Sequence, residues 1–331
     1  MAATALEKFR LLFPGLVIAG LVAVAAQFLN EHYGAPAMLM AILLGMPLNF
    51  LSEETRTAAG VDFAAKSLLR IGVALLGVRI SIDMVQTLGL PMLALIASGV
   101  VATIGFSLLV GGLFGKDRLF SFLSGGAVAI CGASAAMAIG SILPKRPNAD
   151  RDLAFTVITV TVLSTVAMIF YPVIAGALRL DPEATGVFLG GTIHDVAQVV
   201  GAGFSISEDT GDLSTLVKLI RVTLLAPVVF VAALILRRSV EPGAKRPPLL
   251  PGFVIAFLLL AALNSLALIP ASVQEVASQI SRWALLAAIA AVGMKTSIPK
   301  ILEVGGPSIW LVVVQTAFLA AFVLTGIWLL G

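Results

Sequence analysis

The sequence predicts an all-α polytopic membrane protein built as an inverted repeat around two broken or re-entrant helices. Three observations carry that expectation: the composition, a motif that occurs twice, and the sign of the charge in the loops. Of 331 residues, 59% are hydrophobic and only 12% are charged, where a soluble domain would carry about a quarter charged residues. A mean hydropathy of +1.07 argues against an ordinary water-soluble fold, so the lipid bilayer is an expected partner and nucleic acid is not. Gly77-Val78-Arg79-Ile80-Ser81-Ile82 returns as Gly293-Met294-Lys295-Thr296-Ser297-Ile298. The offset of 216 residues also carries Gly89, Pro91 and Gly115 onto Gly305, Pro307 and Gly331. One residue out of step, Pro36 falls on Pro251 and Leu48-Asn49 on Leu263-Asn264. Internal repeats of membrane spans are characteristic of secondary transporters.

A spanning helix needs roughly 20 mostly apolar residues. Runs of that kind lie at about 10–29, 35–51, 64–82, 89–113, 153–176, 214–236, 250–268, 277–296 and 307–330. The first follows Lys8 and Arg10 in the manner of a signal peptide. It lacks a small-x-small cleavage site, and its Pro14 is matched by Pro227 in the corresponding later helix, so it is read as a span. The short loops leave no room for a soluble domain. One integral membrane domain over 1–331 is expected, with a first repeat over about 1–143, a linking helix over about 150–177 and a second repeat over about 183–331.

Basic residues in short loops mark the cytoplasmic side. Lys8 and Arg10, Arg56 and Lys66, Lys116 and Arg118, Lys145, Arg146 and Arg151, Arg237, Arg238, Lys245 and Arg246, and Lys295 and Lys300 form that set. The loops with Glu31, with Asp181 and Glu183, with Glu208, Asp209 and Asp212, and with Glu275 are acidic. One path satisfies both sets. It starts inside, crosses four times, lets 117–143 dip in and return, crosses with 153–176, lets 183–206 dip in from outside, and crosses four more times. The N-terminus is then cytoplasmic and the C-terminus periplasmic, as for a bacterial inner-membrane protein. If both dipping segments cross fully, Lys145, Arg146 and Arg151 fall outside. On either path the first span runs opposite to 214–236, which makes the repeats inverted.

The two dipping segments carry the chemistry. One reads Gly125-Gly126-Ala127-Val128-Ala129-Ile130-Cys131-Gly132-Ala133-Ser134-Ala135-Ala136, the other Gly190-Gly191-Thr192-Ile193-His194-Asp195-Val196-Ala197-Gln198-Val199-Val200-Gly201. Glycine costs about 1 kcal/mol against alanine inside a helix, so these clusters predict unwinding. Broken backbone at membrane depth survives only where it is buried in protein or lines a cavity. The N–H groups of the following half-helix then point into that cavity with the positive end of its dipole, and an anion is the natural guest.

Plainer readings compete. Small residues also let membrane helices pack closely, but two similar clusters flanking one helix favour a binding site. Thr192 followed by Asp195 resembles a capping box. A carboxylate at membrane depth is nonetheless costly and points to function. His194 and Gln198, four apart, share a helix face, and a free imidazole titrates near neutrality, as proton coupling requires. Lys66 and Lys218 read as side chains snorkelling to an interface. Arg70 and Arg221 lie deeper and are candidates for positive charge in the cavity. Asn49 and Asn264, near span ends, read as caps. The row Thr156, Thr159, Thr161, Ser164 and Thr165 either lines a pathway or bonds its own helix carbonyls. Cys131, the single cysteine, has no intrachain disulfide partner.

Three motifs together, Gly-Val-Ala-Leu-Leu-Gly-Val-Arg-Ile-Ser at 72–81, Cys-Gly-Ala-Ser-Ala at 131–135 and His-Asp-Val-Ala-Gln-Val at 194–199, resemble the YeiH-like sulfate exporter family over essentially the whole chain. That family is similar in design to the bile-acid/sodium symporter type of carrier, whose broken helices cross near mid-membrane. The resemblance implies an anion carrier with sulfate, sulfite or small organosulfonates as cargo. Sodium sites in the better-understood relatives use acidic and amide side chains, for which Asp195 and Gln198 are the obvious counterparts here.

The expected function is alternating-access transport of a small anion across the inner membrane. Gly132, Ala133 and Ser134 would offer backbone N–H and hydroxyl donors, and Thr192, His194 and Gln198 would complete the pocket. His194 and Asp195 would couple H+ or Na+. No metal and no cofactor is expected, and a homodimer is an open expectation. The alternatives are a sodium- or proton-coupled carrier of another organic anion, an anion channel, and an intramembrane enzyme with Cys131 as nucleophile and His194 as base.

Overall fold

The computed structural model describes residues 5–33, 35, 37–80, 82–144, 147, 149–235, 252–296 and 306–330. Among them there is helix and no strand. The first half opens with α1 (Ala5–Tyr33) and α2 (Ala37–Gly45), which tightens into a 3₁₀ segment over Met46–Ser52. Next come α3 (Ala58–Phe63), a π-helical stretch over Ala64–Leu68, α4 (Leu69–Leu76) and a 3₁₀ turn over Gly77–Arg79. Then follow α5 (Ile82–Val110), the half-helices α6 (Arg118–Ala129) and α7 (Ala133–Gly140), and the long α8 (Ala149–Ala177). A second pair of half-helices, α9 (Pro182–Thr192) and α10 (Val196–Phe204), precedes α11 (Glu208–Thr223) and α12 (Leu225–Ile235). The chain closes with α13 (Gly252–Ser265), α14 (Ala271–Lys295) and α15 (Pro307–Leu330).

Six stretches among the described residues are long and apolar enough to cross a membrane: Phe9–Tyr33, Leu88–Phe114, Arg151–Ala177, Glu208–Ile235, Ala271–Lys295 and Ser308–Leu330. The protein is therefore a multi-pass membrane protein. Shorter apolar helices occupy Ala37–Ser52 and Gly252–Ser265. The run expected over 64–82 begins earlier, at Ala58, and is interrupted by the π-helical stretch. Phe9, Phe13 and Phe28 on α1, and Trp310 and Trp328 on α15, turn outward, as side chains that meet lipid do. Of the repeated motif, Pro36, Ser81, Pro251, Ser297, Ile298, Gly305 and Gly331 lie outside the described residues, as do the loop charges Lys145, Arg146, Arg237, Arg238, Lys245, Arg246 and Lys300.

The chain forms two compact units, each drawing on both halves of the sequence. The first comprises Met1–Val85, Val200–Asp212 and Gly252–Lys300. In it α14 packs against α2 and α4, α1 against α2 and α3, and α13 against α4. The second comprises Gln86–Val199, Leu213–Pro251 and Ile301–Gly331. In it α15 packs on α9 and α6, and α8 on α6 and α7.

Both half-helix pairs start in the same way. Asp117 accepts the N–H of Phe120 at 2.7 Å and Asp181 that of Ala184 at 2.8 Å, so an aspartate N-cap fixes each entry point. The buried Gln315 on α15 then holds α6 and α5, its Nε2 donating to Ser124 Oγ at 3.0 Å and Ser107 Oγ at 2.6 Å. Ser107 in turn donates to the carbonyl of Ser121 at 2.6 Å.

Candidate functional site

The two breaks are real and they meet. α6 ends at Ala129 and α7 begins at Ala133, with Gly132 between them at φ +60° and ψ −121°. Only glycine takes that conformation without strain, so the break is written into one residue. α9 ends at Thr192 and α10 begins at Val196. A side-chain carbon placed on Gly132 would lie 3.6 Å from His194 Cβ and 3.7 Å from the His194 carbonyl. The backbone of one break thus lies against the other.

An interrupted helix leaves its last carbonyls without intrahelical partners. Here two cations on α11 take them. Lys218 Nζ donates to Ile130 O at 2.6 Å and to Ile193 O at 2.9 Å, one carbonyl from each break. Arg221, one turn further, donates from Nη2 to Val128 O at 3.0 Å and Ala129 O at 2.6 Å, and from Nε to Ala129 O at 3.1 Å. Its Nη1 donates to Gly190 O at 3.0 Å and Ile193 O at 3.2 Å. Lys218 is 0% and Arg221 1% exposed, so neither snorkels. Such close approach needs a bare backbone on α9, since a methyl on Gly190 would collide with the carbonyl of Ser214 on α11.

The donor inventory separates the two cations. A guanidinium has five N–H donors and an ammonium three. The five contacts of Arg221 use all of its donors, which makes it a rivet between α6 and α9. Lys218 uses two and keeps one without a partner among the described residues.

The other expected residues divide. Thr192 turns its hydroxyl back to Phe188 O at 2.5 Å, while Asp195 Oδ1 accepts the N–H of Ala197 at 2.9 Å. Each caps its own half-helix, and the capping box between them does not form. The N–H of Asp195 donates to Ser164 Oγ at 2.9 Å, so one hydroxyl of the row on α8 supports the second break. Thr156, Thr161 and Thr165 bond their own helix carbonyls. His194 is fully buried, with Nε2 2.9 Å from Thr316 Oγ1. Because the Thr316 hydroxyl donates to Val312 O at 2.8 Å, it accepts from His194, which places the ring proton on Nε2. Nδ1 then makes no hydrogen bond among the described residues, and neither does the buried Gln198 Oε1. Ala133 is half-buried and Ser134 exposed at the start of α7, and the buried Cys131 is a free thiol. Arg70 is exposed and belongs to the first unit, so it is not among the residues gathered at the breaks.

Lys218 escapes sequence reasoning because depth within an apolar run is not legible from the run. Its spacing from Arg221, three residues on one helix face, was the available signal. The first unit holds its own polar cavity of about 310 Å³, with Gln27, Asn30, Ser207, Glu208 and Arg282 in its wall.

Residues 14–312 match the family model described as conserved hypothetical protein 698. The chain is 59% identical over 323 residues to the UPF0324 membrane protein TauZ of Paracoccus denitrificans, covering 96% of each chain. It is 58% identical over 321 residues to a UPF0324 membrane protein of Rhizobium meliloti, covering 96% of this chain and 93% of the relative. A UPF0324 membrane protein of Chlorobaculum tepidum is 48% identical over 320 residues, with 96% and 89% covered.

Proposed function

The chain belongs to the conserved hypothetical protein 698 family, the membership to which the motifs at 72–81, 131–135 and 194–199 point, and within it we propose that this protein is a secondary carrier of a small anion. The observation that carries the reading is that two basic side chains, Lys218 and Arg221, are buried at the breaks beside one carboxylate, Asp195. Half-helix ends carry roughly half a charge each, positive at N-termini and negative at C-termini. The C-terminal ends of α6 and α9 and the N-terminal ends of α7 and α10 therefore roughly cancel. Asp195 opposes one of the two cations Lys218 and Arg221, which leaves about one positive charge for the cargo to balance. The count favours a singly charged anion, such as an organosulfonate, over a dianion such as sulfate.

The uncapped N-terminus of α7, where Gly132 brings no side-chain acceptor, and the spare N–H of Lys218 are the donors offered to it. Asp195 caps the second break beside them. The carrier works by alternating access, with inverted repeats, in the bacterial inner membrane with its N-terminus in the cytoplasm. A second reading concerns coupling. The orphaned Nδ1 of His194 is a buried acceptor that a proton would satisfy, so H+ is the favoured coupling ion.

The test is a thermal-shift screen of the purified protein against organosulfonates, sulfate, sulfite and carboxylates, because a ligand that binds the folded state stabilises it. A saturable shift with sulfonates is expected. No shift with any anion would remove the carrier reading. Transport that survives Cys131→Ser would exclude the Cys131 and His194 enzyme.

A further inference from the structure

Lys218 does more than a cap requires. Arg221 already reaches Val128, Ala129, Gly190 and Ile193, so each broken helix has a donor without Lys218. The ammonium sits instead between Ile130 O and Ile193 O, one oxygen from each break, in full burial. Main-chain carbonyls at unwound backbone and half-helix C-termini are the ligands that a desolvated monovalent cation takes inside a membrane protein. A buried lysine is expensive at membrane depth, and a neutral donor would satisfy the same two oxygens at lower cost. What the charge adds is an ion.

We propose that Lys218 is a tethered cation, occupying with its own ammonium a monovalent-cation site formed by the Ile130 and Ile193 carbonyls where the two breaks meet. The site exists whether or not the protein is a carrier. Its consequence, cargo movement that needs no sodium, rests on the carrier reading. Truncating the side chain vacates the site while leaving its oxygens, so a cation from solution takes it.

The experiment uses the full-length protein in detergent, with the unfolding midpoint measured in choline chloride and in sodium, potassium or ammonium chloride at matched ionic strength. Choline is too large for the site. The wild type is expected to unfold at the same temperature in all four. Lys218→Ala should unfold at a lower temperature in choline and recover saturably in at least one small cation, ammonium foremost. Lys218→Met fills the space with an uncharged chain of similar length, so it should be destabilised and unresponsive to cation identity. Where Lys218→Ala does not survive purification, Lys218→Ser carries the same comparison.

A wild type stabilised saturably by sodium, a truncated variant indifferent to cation identity, or a Lys218→Met variant as stable as wild type each overturns the proposal. The two readings fail separately. A sulfonate shift of the wild type that appears only in sodium defeats the tethered cation and keeps the anion carrier. A sulfonate shift absent in every salt defeats the carrier and leaves the cation result standing.

Discussion

The guanidinium of Arg221 meets the carbonyl oxygen of Ala129 through two nitrogens, Nη2 at 2.6 Å and Nε at 3.1 Å. Ala129 is the last residue of α6, and the same side chain reaches Gly190 O on α9 at 3.0 Å. One side chain therefore joins the ends of two interrupted helices. The arrangement depends on a planar fork with its donors at fixed angles, which a lysine does not possess.

Arg221→Lys is accordingly not a conservative change. It keeps the charge, but three rotating donors cannot serve Val128, Ala129, Gly190 and Ile193 together, and buried carbonyls left unpaired cost about 1–3 kcal/mol each. A loss of about 3 kcal/mol or more is expected in unfolding in detergent. A variant within about 0.5 kcal/mol of wild type would show that the rivet is not needed.

Gly132 sets the other side of the same junction. Its φ of +60° is open to glycine and strained for any other residue, while the nearest atoms to an added carbon, at 3.6 Å, leave room for it. Gly132→Ala should thus fail through backbone strain and not through collision, at a cost of about 1–3 kcal/mol. Gly132→Val adds branching in the same strained conformation and should lower expression as well as anion binding. Equal midpoints for wild type and Gly132→Ala would mean that the break relaxes into another conformation.

The breaks themselves are legible in the sequence because clustered glycines weaken a helix wherever they stand, even inside an apolar run. Their placement against one another is not, since it depends on α11 and α15, whose own sequences read as ordinary spans. Lys218 and Arg221 stand in an apolar stretch, and only packing shows that they turn inward to carbonyls. Thr192 and Asp195 have the spacing of a capping box, but the backbone between them is extended at Ile193, which separates the two side chains onto different half-helices. Asn49 and Asn264 read as caps of their own helices. Both reach across instead.

Those two asparagines make exchanged contacts within the first unit. Asn49 donates to Met294 O at 2.7 Å and Asn264 to Ile80 O at 3.2 Å, each amide meeting the chain where the other repeat carries its matching motif. Glycines follow the same exchange. A methyl on Gly77 would strike the Phe257 carbonyl, and one on Gly293 would strike that of Ile42. Asn49→Ala and Asn264→Ala should therefore cost similar amounts, about 1 kcal/mol each, and Gly77→Val and Gly293→Val should each cost more through backbone collision. A twofold design is contradicted if one asparagine variant is neutral while the other unfolds the protein.

The last expectation concerns His194. Its Nε2–H is committed to Thr316 and its Nδ1 makes no hydrogen bond among the described residues, so the ring can take one more proton without surrendering a hydrogen bond. That proton would add a third positive charge near Lys218 and Arg221, whose shared acceptor Ile193 O belongs to the residue before it. Asp195, beside it in the chain, is the one carboxylate of the break. An arriving anion offsets the added charge, so proton and anion should enter together and binding should strengthen as pH falls. The measurement is anion affinity from about pH 4 to 8.5, a window that extends well to either side of the free imidazole value near 6.5. His194→Gln cannot titrate and should flatten the profile while leaving weak binding. Thr316→Val removes the acceptor of the Nε2 proton, so it should displace the profile along the pH axis without flattening it. Asp195→Asn keeps part of the cap on α10 and removes the negative charge, so it should strengthen anion binding at every pH. A wild-type affinity that does not vary with pH would mean that no proton enters with the anion, and a His194→Gln variant that retains the full dependence would place the proton on another group.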